Sequence, residues 1–240
     1  MINLKNYNPE HCFTIFDGFA HIWQELTPYI KTRIYQKDET IILHGDAANC
    51  LWLVFDGWVK LSRQTPDGKE TIIDLCNSGD IFGEACLCPK ANYSYNAEIV
   101  SQDAELAAIP AEIIRELIKQ HYDFSINILL LLNNRVTQAQ LKMEQISTLS
   151  AAQRLSCFLI SLCKGQQYGE RNIQIPIEKH ILASYLCMKS ETFSRALQQL
   201  KTLGISVSGN NITISNIANL RNFVCGNCSE AGLCKTDIKP

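Results

Sequence analysis

The stretch that most constrains the fold is residues 177–205, which read as a short helix, a tight turn and a second helix. In the second helix Phe193, Ala196, Leu197 and Leu200 recur at i, i+3, i+4 and i+7, the spacing of a single buried face. The opposite face carries Glu191, Arg195, Gln198 and Gln199, also at helical spacing. These side chains hydrogen-bond base edges: arginine to guanine, glutamate to the cytosine amino group, glutamine to adenine. A helix with one face for a core and another of this chemistry suits the major groove of duplex DNA.

The charge distribution agrees. The whole chain of 240 residues has a formal net charge of −2, which is uninformative. Residues 1–149 hold 12 Lys/Arg against 19 Asp/Glu, whereas residues 150–219 hold 7 against 3. The phosphate-seeking surface therefore belongs to the C-terminal half. The N-terminus lacks the apolar segment of a secretory signal, and the run 126–132 is far shorter than the roughly 18–20 residues that span a bilayer. A cytoplasmic protein with no membrane association is expected, in which 11 cysteines are thiols or metal ligands rather than disulfides.

Upstream, residues 41–43, 51–55, 59–61, 71–75 and 105–109 are short strand-like runs. The turn signals Gly45-Asp46, Asp56-Gly57, Pro66-Asp67-Gly68 and Ser78-Gly79-Asp80 separate them, a pattern that predicts a β-sandwich or barrel. From Ala111 to about Leu149 the pattern turns helical. There Ile128, Leu132, Val136, Ala139, Met143 and Ile146 follow spacings of 4, 4, 3, 4 and 3, the seam of a helix that pairs with a partner. Leu129–Leu131 are expected to face the chain's own β-domain. Residues 151–163 read as a further helix and 173–177 as a short strand. After the helix pair, residues 205–207 and 212–214 flank Ser208-Gly209-Asn210-Asn211 as a hairpin, which completes a winged helix-turn-helix.

Taken in order, these blocks resemble the CRP/FNR superfamily of bacterial transcription regulators over roughly residues 14–220. The resemblance rests on Leu51–Leu61, on Gly79-Asp80-Ile81-Phe82-Gly83-Glu84-Ala85 and on Lys189–Arg195. It implies an α+β chain: an N-terminal jelly-roll sensor domain of the cyclic-nucleotide-binding type (1–118), a dimerisation helix (119–149), a winged helix-turn-helix (150–219) and a cysteine-containing tail (220–240). It further implies a homodimer on a palindromic double-stranded site, with RNA polymerase as a further partner. By the same carry-over Glu191, Ser194 and Arg195 read bases in TTGAT-like half-sites of the FNR branch, while Lys189, Ser190 and Thr192 touch phosphates. Gln198 completes the DNA-facing set. Cys187 stands where the family usually has glycine in the turn.

The signal sensed is open between alternatives. Relatives that bind cyclic AMP place an Arg-Ser pair shortly after the Gly-Glu, where the arginine clamps the phosphate. Here that stretch is Tyr93-Ser94-Tyr95-Asn96, and no Arg or Lys lies between Lys90 and Arg115, which argues against cyclic AMP. Cys225, Cys228 and Cys234 give C-x2-C-x5-C, thiolates suited to a 4Fe-4S cluster or another metal, with a fourth ligand still to be found. Haem is the alternative, with His11, Cys12, His21 and His44 as possible axial ligands. An O2- or NO-responsive regulator is the first expectation. A ligand-independent or small-molecule-sensing regulator is the second. An enzyme using Cys225 and Cys228 in thiol redox chemistry is disfavoured, because that pair follows the wing rather than opening a helix of a βαβ unit.

Overall fold

The computed structural model describes residues 4, 7–9, 12–163 and 169–225. The chain divides into two compact units, Met1–Thr137 and Gln138–Pro240.

Among the described residues, the first unit has a 3-10 turn (Thr14–Phe16) and a short helix α1 (Ala20–Leu26) before β1 (Lys31–Gln36), β2 (Thr40–Ile42), β3 (Cys50–Asp56), β4 (Trp58–Gln64), β5 (Glu70–Asn77), β6 (Ile81–Phe82), β7 (Asn96–Ile99) and β8 (Asp103–Pro110). The strands form two antiparallel four-stranded sheets, β1-β8-β3-β6 and β2-β7-β4-β5, and apart from the β4–β5 hairpin the chain crosses from one sheet to the other at every step, as in a jelly roll. Leu51, Leu53, Val59, Ile99 and Leu106 are completely buried. Removing such side chains from water is the main stabilising term of the unit. The Pro66-Asp67-Gly68 signal forms the tip of the β4–β5 hairpin, with Gly68 at φ +81° and its N–H donating to Thr65 O at 2.8 Å. Strands β1, β6 and β7 were not expected from the sequence pattern. The pair Ile81–Phe82 is too short to show a period, and β1 is an edge strand whose face is mostly exposed.

Two helices follow, α2 (Ala111–Gln120) and α3 (Tyr122–Thr148), broken at His121, so the long helix starts three residues later than the expected 119. Phe124 and Ile128 bury themselves in the β-unit core, with Leu131 packed against it. Ile128, expected on the partner-facing seam, is thus held by its own chain at 5 % exposure. Leu129 and Leu130, expected to face the β-domain, are instead exposed. A heptad-spaced stripe remains in solvent: Leu129 and Leu132, Val136 and Ala139, Met143 and Ile146. The exposed stripe therefore starts at Leu129, whereas the periodicity alone suggested Ile128.

The second unit contains the end of α3, then α4 (Ala151–Ser161), β9 (Arg171–Gln174), α5 (Lys179–Tyr185), α6 (Ser190–Leu200), β10 (Ile205–Ser208), β11 (Asn211–Ile214) and α7 (Ile217–Cys225). Ser150 and Gln153 form a reciprocal capping box at the start of α4, which satisfies two backbone donors that have no intrahelical partner. Strands β10, β11 and β9 pair into a small antiparallel sheet, the wing. Helix α7 corrects the expected tail. Ile217, Leu220 and Val224 are buried and α7 packs on α4, so this unit extends to Cys225 rather than ending at 219.

Candidate nucleic-acid interface and sensor turn

The reading helix α6 owes its placement to the turn before it. Helix α5 closes at Leu186, Cys187 takes a left-handed φ of +53°, and Lys189 is extended as the N-cap of α6. The thiol stands at a left-handed position, as the departure from glycine implied, and a β-carbon there costs about 1 kcal/mol. The next turns divide as the spacing predicts. Phe193, Ala196 and Leu200 are buried, while Leu197 is half-buried. Lys189, Ser190, Glu191, Ser194, Arg195 and Gln198 are exposed and Thr192 is half-buried.

Helical spacing brings Glu191, Ser194 and Arg195 to one face. Ser194 Oγ donates back to Ser190 O at 3.0 Å. Arg195 Nη2 lies 3.7 Å from Glu191 Oε2, and both side chains are about four-fifths exposed, at 80 % and 83 %. Such an i,i+4 pair contributes only a few tenths of a kcal/mol. It orients the guanidinium without tying it down, so base or phosphate oxygens can replace the carboxylate.

The sensor turn has the opposite character. Gly83 adopts φ +91°, and a β-carbon there would stand 2.8 Å from Cys50 O and 3.1 Å from the Trp52 ring. Its N–H donates to Tyr95 Oη at 2.7 Å. The neighbouring Glu84 accepts from Arg135 Nε at 2.8 Å, Asp74 accepts from Arg135 Nη1 at 2.9 Å, and Arg135 Nη2 donates to the Ile81 carbonyl. Burial opposes the charge on Arg135. Glu84 foremost, with Asp74 and Asp80 assisting, outweighs it and holds the guanidinium's pKa above its ordinary range. Burial likewise raises the Tyr95 phenol. Tyr95 of the 93–96 stretch thus caps the turn's own amide, and an arginine of α3 occupies the turn's own carboxylate. Sequence inspection missed Arg135, whose partners lie 51 and 61 residues away. It also missed Arg63, whose Nε donates to Ser94 O at 2.5 Å and so supplies a cation beside a stretch that has none of its own.

The remaining sensor candidates are dispersed. His21 lies against Phe19 and His121, His44 is exposed with its backbone N–H on Asn96 Oδ1, and Cys12 is exposed. Among the described residues no three His, Cys, Asp or Glu side chains form a metal-holding group. The Cys225 backbone ends α7. His11, Cys228 and Cys234 lie outside the described residues. No described helix is long and apolar enough to cross a membrane.

Residues 32–121 match the cyclic nucleotide-binding domain family and residues 153–223 the Crp-like helix-turn-helix domain family. The chain is 31% identical over 192 residues to the cyclic AMP receptor protein of Thermus thermophilus, covering 80% of this chain and 87% of that one. It is 25% identical over 208 residues to the anaerobic regulatory protein of Pasteurella multocida, covering 85% and 73% respectively. In fold it is similar to FixK2 of Bradyrhizobium japonicum, with a TM-score of 0.72 at 23% identity over 81% of this chain and 97% of that one. With both domains in order and the polar face of α6 exposed between turn and wing, the chain belongs to the CRP/FNR family of DNA-binding transcription regulators.

Proposed function

We propose that this regulator works as a homodimer on a palindromic duplex with TTGAT-like half-sites, recruits RNA polymerase in the cytoplasm, and answers a redox or gas signal. The observation that carries the DNA part is the solvent-facing set Glu191, Ser194 and Arg195 on a helix whose other face buries Phe193, Ala196 and Leu200. The exposed stripe Leu129, Leu132, Val136, Ala139, Met143 and Ile146 supports the dimer, because contiguous apolar surface at heptad spacing is stabilised by a second helix. Two copies related by a twofold axis present their reading helices to half-sites one helical turn apart, about 34 Å.

For the signal, the donor chemistry of Cys225, Cys228 and Cys234 fits a soft metal or a 4Fe-4S cluster, which would bring sensitivity to oxygen or NO. The anaerobic regulator of P. multocida among the relatives favours the same reading. Haem at His21 or His44 is the alternative cofactor. A second reading, an effector-independent regulator, is favoured by Arg135 and Tyr95, which already occupy the groups of the sensor turn.

Selection from a random duplex pool, with sedimentation of the protein alone, tests the DNA reading. Recovery of an inverted repeat by a dimer supports it. A monomer without sequence preference overturns it. An anaerobic preparation that carries iron and a visible chromophore, both lost in the Cys225→Ser, Cys228→Ser, Cys234→Ser triple variant, supports the cluster. An iron-free preparation whose operator binding is indifferent to oxygen and NO supports effector independence.

A further inference from the structure

The turn that aims α6 is gripped by two cations from outside the helix pair. Arg154, in the first turns of α4, donates from Nε to Leu186 O at 3.1 Å and from Nη1 to Leu149 O at 2.8 Å. Leu186 closes α5, and Leu149 immediately follows α3. These are carbonyls at the C-terminal ends of two helices, where the backbone lacks intrahelical donors and the helix dipole favours positive charge. One planar guanidinium thus satisfies both ends, a geometry the point charge of lysine does not reproduce. Independently, Lys142 Nζ, on the last turns of α3, sits 3.8 Å from the centroid of the Tyr185 ring, the residue just before Leu186. Phe158 of α4 meets the same ring edge-on at 5.7 Å. All these residues lie within the second unit.

We propose that Arg154 and Lys142 are positioning residues for DNA reading: together they fasten the α5–α6 turn to the end of α3, so that the reading helix is held at a set angle to the helix that carries the exposed heptad stripe. Local backbone bonds hold this turn only in part: Cys187 N–H donates to Ser184 O and Met188 N–H to Ala183 O, each at 3.0 Å, while Cys187 sits at φ +53° without the freedom of glycine. The tertiary clamps add to these bonds and tie the turn to α3 and α4. Neither residue belongs to the exposed face of α6, so their effect is on the orientation of the readers rather than on contact with bases.

The inference rests on α6 being the DNA-reading helix, and its sharpest readout also uses the dimer. The full-length protein is titrated with duplexes that carry the selected inverted repeat, its central spacer changed one base pair at a time, and with a duplex that carries a single half-site. The wild type is expected to prefer one spacer strongly. Arg154→Met keeps an apolar stem but no donors, and is expected to lose about tenfold on the best spacer while single half-site affinity stays within about twofold, the scale of a lost charge-assisted hydrogen bond. The spacer profile flattens accordingly. Lys142→Met is expected to lose about threefold in the same pattern, with Lys142→Arg restoring it, because a guanidinium also stacks on the ring. An equal loss on every duplex, or an unchanged profile, overturns the proposal. If Arg154→Met does not fold, the Lys142 pair decides on the same criteria. If the wild type shows no spacer preference, the palindromic reading fails, and amide exchange then judges the clamp. Faster exchange at residues 186–189 in either Met variant, with 193–200 unchanged, supports the clamp, and unchanged exchange at 186–189 refutes it.

Discussion

The sensor turn and the reading helix use the same pair of residue types for opposite ends. At the turn, Arg135 has a side chain 27 % exposed and is shared between Glu84, Asp74 and a backbone carbonyl. On α6, Arg195 is 80 % exposed and 3.7 Å from one carboxylate. The difference is the number of fixed acceptors and the amount of water. Where water is scarce and three acceptors converge, an arginine becomes part of the framework, and removing it strands carboxylates in a poor dielectric. Where water is plentiful and one flexible acceptor is near, the guanidinium stays exchangeable and suits an incoming ligand.

This contrast is open to direct attack. The largest effect is expected from Arg195→Ala. Each lost bidentate base contact weakens discrimination by about 1–3 kcal/mol, roughly doubled in a symmetric dimer, so selected-site affinity collapses towards that for random duplex. The thermal midpoint should not move, and a titration beside a melting curve checks both. Arg135→Gln should do the reverse. Partial exposure moderates the penalty of an orphaned buried charge, so a loss of about 2 kcal/mol in unfolding free energy is expected by urea titration. Replacing Asp74 and Glu84 by their amides in the same variant should recover part of it. Nearly equal costs for Arg135→Gln and Arg195→Ala in that titration would erase the distinction.

The smallest expected effect concerns pH. Burial pushes the Cys86 thiol from an ordinary 9.0 up to about 12, and Lys60, held by Glu70 and Glu98, is also raised. A group whose folded pKa lies above its unfolded value contributes stability that is complete below the unfolded value and is lost as the pH climbs to the folded one. The melting temperature should therefore hold up to about pH 9 and fall towards pH 12, more shallowly in Cys86→Ala. Exposed Cys12, Cys88 and Cys187 should be alkylated well before Cys86 at neutral pH, as peptide mass mapping would read. A melting temperature level throughout that interval would mean Cys86 is not held in a dry environment.

How far the sequence revealed this molecule depended on how local each signal was. Pro66-Asp67-Gly68 announced its hairpin, and Phe193, Ala196 and Leu200 announced the buried face of α6, because periodicity and turn chemistry act within a few residues. The exposed stripe of α3 starts one residue later than the spacing suggested. Ile128 and Leu129 are equally apolar, and only the β-unit core, drawn from distant strands, decides which of them is covered. Ile217, Leu220 and Val224 have helical spacing, but three apolar positions in nine residues are too few to set a period, and it is packing on α4 that settles α7. Arg135 and Arg154 were beyond reach altogether. Most of their acceptors are carboxylates and carbonyls tens of residues away, and even the nearby Leu149 carbonyl leaves no trace in a sequence.

The left-handed thiol at Cys187 has a consequence for anyone who would shrink this protein. A synthetic peptide spanning α5, the bend and α6 contains every proposed base reader, but its own preferences oppose the bend at the middle residue. Such a fragment should fray there and bind duplex without discrimination, whereas the same peptide with glycine at 187 should hold its shape better, a difference that circular dichroism can register.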